Sequence, residues 1–125
     1  MMTSMDPLIL NAARAFAMVS FSDGRMSPAE AERFSRLASQ EAALGHFGHH
    51  DIADAWITAS REVSEAQSFG PALLAIRQEV KEPAAKALMM RLAQAATIAD
   101  GRLEAQENKA VFALADALGL DPDAY

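Results

Sequence analysis

Two stretches of this chain carry the same acidic pattern. Ser22-Asp23-Gly24-Arg25-Met26-Ser27-Pro28-Ala29-Glu30 recurs as Ala99-Asp100-Gly101-Arg102-Leu103-Glu104-Ala105-Gln106-Glu107. Each copy reads Asp-Gly-Arg, then an apolar residue, then Glu after three intervening positions. The flanks agree too, Arg14 with Arg91 upstream and Leu37-Ala38 with Leu114-Ala115 downstream. Carboxylates repeated at one spacing bind cations or recognise basic groups; they do not by themselves make a covalent catalyst. Matched flanks imply a duplicated helix–loop–helix unit, with its two acidic sites related by pseudo-symmetry.

The second half of a calcium-binding EF-hand loop reads Asp-Gly-x-apolar-x-x-x-Glu, and both copies match that half. The first half is missing. The two earlier ligand positions fall on Val19 and Phe21 in one copy and on Ala96 and Ile98 in the other. None of these offers a side-chain oxygen, so a cation site requires carboxylates pooled from both copies. Such an all-oxygen set suits Ca²⁺, Mg²⁺ or Mn²⁺ better than zinc or copper. Two carboxylates about 4 Å apart repel by roughly 4 kcal/mol at an effective dielectric near 20. Convergent acids therefore need a cation, a shared proton or basic neighbours, and Arg25 and Arg102 are such neighbours.

The same residues also have a purely structural reading. Gly24 and Gly101 can supply a left-handed turn at a helix end. Asp23 and Asp100 can accept from turn amides. Ser27 and Glu30 form a capping box around Pro28, and Glu107 suits the positive end of a helix. From sequence both readings stand.

A second group is His46, His49, His50, Asp51 and Asp54. On a continuous helix His46, His50 and Asp54 would share a face at metal-ligand spacing. Gly45 and Gly48 argue instead for a solvated loop, with Asp51 capping the helix that follows. No Ser or Cys nucleophile motif accompanies these histidines, so the chain is not expected to be an enzyme.

The elements that must position these residues are helices. The 125 residues are 51 % apolar, enough for one cored domain spanning 1–125. There is no cysteine, which removes disulfides, thiolate metal sites and cysteine catalysis. The net charge of −6 disfavours nucleic acid as a partner and suits a cation or a basic protein surface. No stretch has the length of a membrane span, and Arg14 interrupts the first apolar run, so neither direct membrane insertion nor a signal peptide is expected. Ala, Leu, Met, Glu, Gln and Arg dominate, and strand-type alternation is absent.

Asp6-Pro7 opens a helix over about 7–22, with Leu8, Ala12, Phe16 and Val19 on one face. A second runs from Pro28 to about 43, with Phe34, Leu37 and Ala38 inward and Gly45 as its stop. Asp51 starts a long third helix carrying Ile52, Trp56, Ala59 and Val63, broken by Gly70-Pro71. A shorter helix with Leu73, Leu74, Ile76 and Val80 follows, then one from Pro83 to Ala99, then one over about 105–118 ended by Gly119-Leu120. Met18, Met26, Met89, Met90, Trp56 and the phenylalanines fall at helical spacing and are expected in the core. The expected fold is an all-α, compact single-domain bundle of about six to seven helices.

The paired Asp-Gly-Arg…Glu motifs, each set between helices, resemble the tellurite-resistance TerB family, including the TerB-like domain of membrane-anchored DnaJ-type co-chaperones. The likeness spans about residues 8–120. It implies an all-helical cytoplasmic protein tied to metal or stress responses, without an enzymatic reaction. It also implies a divalent-cation site formed by Asp23 and Glu30 of the first motif and Asp100 and Glu107 of the second. Glu104 adds an acid to the second motif where the first has the neutral Ser27. The co-chaperone branch implies an alternative, a protein-docking domain whose acidic motifs are structural.

Overall fold

A computed structural model describes residues 6–21, 28–99 and 105–120, with 28, 98–99 and 105–108 described by backbone alone. Among the described residues six α-helices follow one another: α1 (Pro7–Ser20), α2 (Pro28–Gln40), α3 (His49–Ala66), α4 (Gly70–Glu79), α5 (Pro83–Ala99) and α6 (Ala105–Leu118). A 3-10 turn, Ala42–Leu44, stands between α2 and α3. Among the described residues there is no strand.

α1 is the axis of the bundle and touches each of the other five helices, most extensively α3, α5 and α4. Its start is the expected one: the Asp6 carboxylate accepts from Leu8 N–H at 2.8 Å, and Pro7 occupies the first helical position. Its burial is not the expected one. Rather than a single apolar face, every residue from Asn11 to Val19 is buried. A helix that is apolar all round belongs inside a protein. The alanines at 12, 13, 15 and 17 have no side chain beyond Cβ, so neighbouring helices can close on α1 from all directions.

The other helices turn one face to α1. Phe34 and Ala38 of α2, and Ile52, Ala55, Trp56, Ala59 and Val63 of α3, are buried at helical spacing. Phe16, Phe34 and Trp56 join three helices in one aromatic cluster. Phe16 meets the Trp56 ring edge-on at 5.7 Å, and Phe34 stacks on it at 5.5 Å. Phe16 and Phe34 are themselves 5.7 Å apart. α5 contributes Leu88, Met89, Met90, Leu92 and Ala93, and α6 contributes Ala110, Val111, Leu114, Ala115 and Leu118. Met18, Met89, Met90 and Trp56 are thus core residues as expected, while Met26 lies outside the described residues.

Several boundaries depart from expectation. α2 ends at Gln40, three residues early, and the 3-10 turn then swings Leu44 into the core. Gly45 closes that turn with an ordinary right-handed backbone, φ −66°. α3 starts at His49 rather than at Asp51. Gly48 is its N-cap, and Asp51, in the first turn, accepts from Gly48 N–H at 3.2 Å. Gly70 and Pro71 are the first two residues of α4, with Phe69 as N-cap. The end of α6 is as expected: Gly119 has φ +70°, and Leu120 N–H reaches Ala115 O at 2.8 Å. α3 ends in the same way without a glycine. Gln67 takes φ 54° and its side-chain amide donates to Ser64 O at 2.7 Å.

Two stability outcomes follow from this packing. Phe34→Ala removes one of three rings in mutual contact and is expected to cost about 3–5 kcal/mol in urea unfolding. Gln67→Gly relieves a left-handed backbone that side chains disfavour by roughly 1 kcal/mol. It is expected to raise the thermal midpoint; a fall would mean that the Gln67–Ser64 hydrogen bond outweighs the backbone relief.

Candidate functional site

Of the five acids that the sequence marks, one has a described side chain. Asp23, Asp100 and Glu104 lie outside the described residues, and Glu107 is described by its backbone alone. α2 begins at Pro28 and α6 at Ala105, so Glu30 and Glu107 are each the third residue of their helix. The helices that follow the two Asp-Gly motifs therefore start in the same register of the repeat. Glu30 is only 9 % exposed, and its Oε2 is shut off from solvent. A carboxylate out of water is costly unless donors or a cation offset its desolvation. Its place in the first turn of α2 helps, because the amide N–H groups there favour an anion.

The described polar cluster of greatest extent sits on α1, and the motifs did not disclose it. Arg14 grips Glu62 of α3 side-on, Nε to Oε1 at 3.0 Å and Nη2 to Oε2 at 3.1 Å. Its Nη1 donates to Asn11 Oδ1 at 2.8 Å and lies 3.6 Å from Glu79 Oε2 of α4. Asn11 Nδ2 donates onward to Glu79 Oε1 at 3.2 Å. The Arg14 side chain is 9 % exposed, whereas Glu62 is 38 % exposed. Such a fork-to-fork pair is the geometry for which a guanidinium suits best. Three of its five N–H donors bond inside the protein, and with Glu79 close by it works as a clamp of α1 on α3 and α4. The signal in the sequence was an arginine inside an otherwise apolar helix, which must find a partner. Its partners, 48 and 65 residues further along, had no such signal.

Arg91, which matches Arg14 in the repeat, also grips a glutamate. It donates from Nη2 to Glu41 Oε1 at 2.8 Å and from Nε to Oε2 at 3.3 Å. The hydrogen bond to Glu41 raises its already high pKa, with burial opposing and the charge of Glu41 adding. A raised basic pKa lends stability that is present below the unfolded value and lost only above the folded one, so the pair does not respond to pH near neutrality.

The histidines are at the surface. His46 lies in the turn before α3 with its ring 4.1 Å from Phe47, and His49 and His50 open α3. Among the described residues, no group of three or more His, Asp or Glu side chains is arranged to hold a metal ion, those around His46 included. Nor is any described helix long and apolar enough to cross a membrane.

A family model described as tellurite resistance protein TerB matches residues 10–125, nearly the whole chain. No curated protein and no solved structure matches it.

The two arginine pairs differ in what their loss should cost. Glu62→Ala is expected to destabilise by on the order of 2 kcal/mol, less than for a fully buried pair because Glu79 stays beside Arg14. Glu41→Ala, at a more exposed pair, is expected to cost under about 1 kcal/mol. Urea unfolding of both variants measures the contrast.

Proposed function

Because the chain belongs to the TerB family, we propose that it is a non-enzymatic cytoplasmic module that binds a divalent cation in a tellurite, metal or general stress response. The observation that carries this reading is Glu30, with one carboxylate oxygen held out of solvent in the first turn of α2 at the very position where the repeat places Glu107 in α6. Asp23, Asp100, Glu104 and Glu107 would complete the set, and all-oxygen ligands point to Ca²⁺, Mg²⁺ or Mn²⁺. The family relation supports the stress-response context.

A second reading also draws on Glu30. A carboxylate among the first N–H groups of a helix is stabilised there without any ion, which suits a protein-docking domain with structural acidic motifs. The two readings part on one measurement, thermal unfolding of chelator-treated protein with and without millimolar Ca²⁺, Mg²⁺ or Mn²⁺. Saturation at about 100 times the dissociation constant adds roughly 2.7 kcal/mol, a rise on the order of 5–10 °C for a domain of this size. The cation reading expects such a rise for one ion and its loss in Glu30→Gln. A flat response to all three ions in the wild type sinks it and leaves the docking reading.

A further inference from the structure

Three large apolar residues contradict the expectation that such side chains fill the core: Ile57 of α3, 49 % exposed, and one each on α4 and α6. Leu74 is 54 % exposed and Phe112 is 55 % exposed. Leu74 lines a groove, and Phe112 is the neighbour in sequence of a residue on its other wall. This groove of about 340 Å³ runs between α4 and α6, walled by Leu73, Leu74 and Arg77 on one side and by Ala113, Asp116 and Ala117 on the other. Phe112 directly precedes Ala113 and lies one helical turn before Asp116, so it stands at the rim of the α6 wall.

The charges of this face are opposite and sit on opposite walls. Among the described residues neither Arg77 nor Asp116 has an ion-pair partner. Asp116 also lies in the last turn of α6, where the free carbonyls disfavour an anion. A guanidinium brought up to it would relieve that repulsion.

We propose that the α4–α6 face is a self-complementary docking surface whose partner is a second copy of this chain. A two-fold axis running along the groove lays α4 of each copy over α6 of the other. That operation sets Arg77 of each copy against Asp116 of the other, and each Phe112 against the Leu73–Leu74 wall opposite. An isologous interface needs both halves of every contact on one patch. This patch has them: cation and anion, apolar rim and apolar slot. A partner of a single charge sign would leave one of the two groups unmatched. The contact is small, so the dimer is expected to be weak and concentration-dependent.

Sedimentation equilibrium of the full chain, from dilute to millimolar protein, tests the assignment. The wild type is expected to show a monomer–dimer equilibrium. Phe112→Asp, Arg77→Asp and Asp116→Arg are each expected to weaken it by about tenfold or more. Equimolar mixing of the Arg77→Asp and Asp116→Arg chains restores both cross-interface pairs and is expected to recover association as a heterodimer. The double variant carrying both swaps should recover it in one chain. All the altered positions are exposed, and circular dichroism checks that each variant keeps its helices. A wild type that stays monomeric throughout overturns the proposal and leaves the groove to a different protein. So does a mixture that associates no better than the single variants, since the charges would then not face one another.

Discussion

Burial of α1 on every side is the constraint on which the rest of the structure depends. A central helix must present small side chains where its neighbours close in and large ones where they leave room. The alanines and Phe16 of α1 meet that demand in turn, and Phe34 and Trp56 gather around Phe16. The central position also dictates the chemistry of its polar residues. Asn11 and Arg14 cannot reach bulk water as exposed residues do, so α3 and α4 must bring carboxylates to them. Glu62 and Glu79 keep contact with solvent while they hold Arg14, which spares the protein a fully desolvated ion pair. The clamp thereby fixes the rotation of α1 as well as its position, something that apolar packing alone specifies less sharply.

The repeat has different consequences in its two halves. Ala38 and Ala115, and Phe34 and Val111, occupy matched places and are all buried. Arg14 and Arg91 are also matched, and each grips a glutamate in a fork. Yet one arginine lies inside the bundle and the other at its surface, because α1 is enclosed on all sides while α5 is not. Equal residues at equal repeat positions thus carry unequal energetic weight, decided by how many neighbours surround the helix that bears them. Glu30 belongs with the enclosed set, a charged side chain in the first turn of a helix with one oxygen withdrawn from water. That withdrawal is what gives the acidic motif a chemical interest beyond helix capping.

Helix ends show where local chemistry sufficed and where it was overruled. Asp6-Pro7 and Gly119-Leu120 act where they stand, through bonds to backbone groups within a few residues. At the start of α3 the same local chemistry had two solutions. Asp51 can cap a helix from outside or close back on the N-cap from the first turn. The second takes hold here, with Gly48 as N-cap and His49 and His50 drawn into the helix. At the end of α2 the core decided. Leu44 needed a buried place, and a 3-10 turn reaches it where a continued α-helix would carry the chain on along the α2 axis.

The sequence by itself determined the helical class, the number of long helices and most of their ends, because these rest on periodicity and on caps that act over three or four residues. It also marked the acidic repeat and singled out Arg14 as a charge in an apolar run. What only the tertiary structure decided is which helix stands at the centre, which carboxylates Arg14 meets, and which apolar residues stay outside. Leu74 and Phe112 sit at helical spacing no different from that of Ile76 or Leu114, yet they face away from the core. A helix pattern records which residues share a face; it does not record which faces find a neighbour. That depends on contacts between segments far apart along the chain, and these exist only once the bundle has closed.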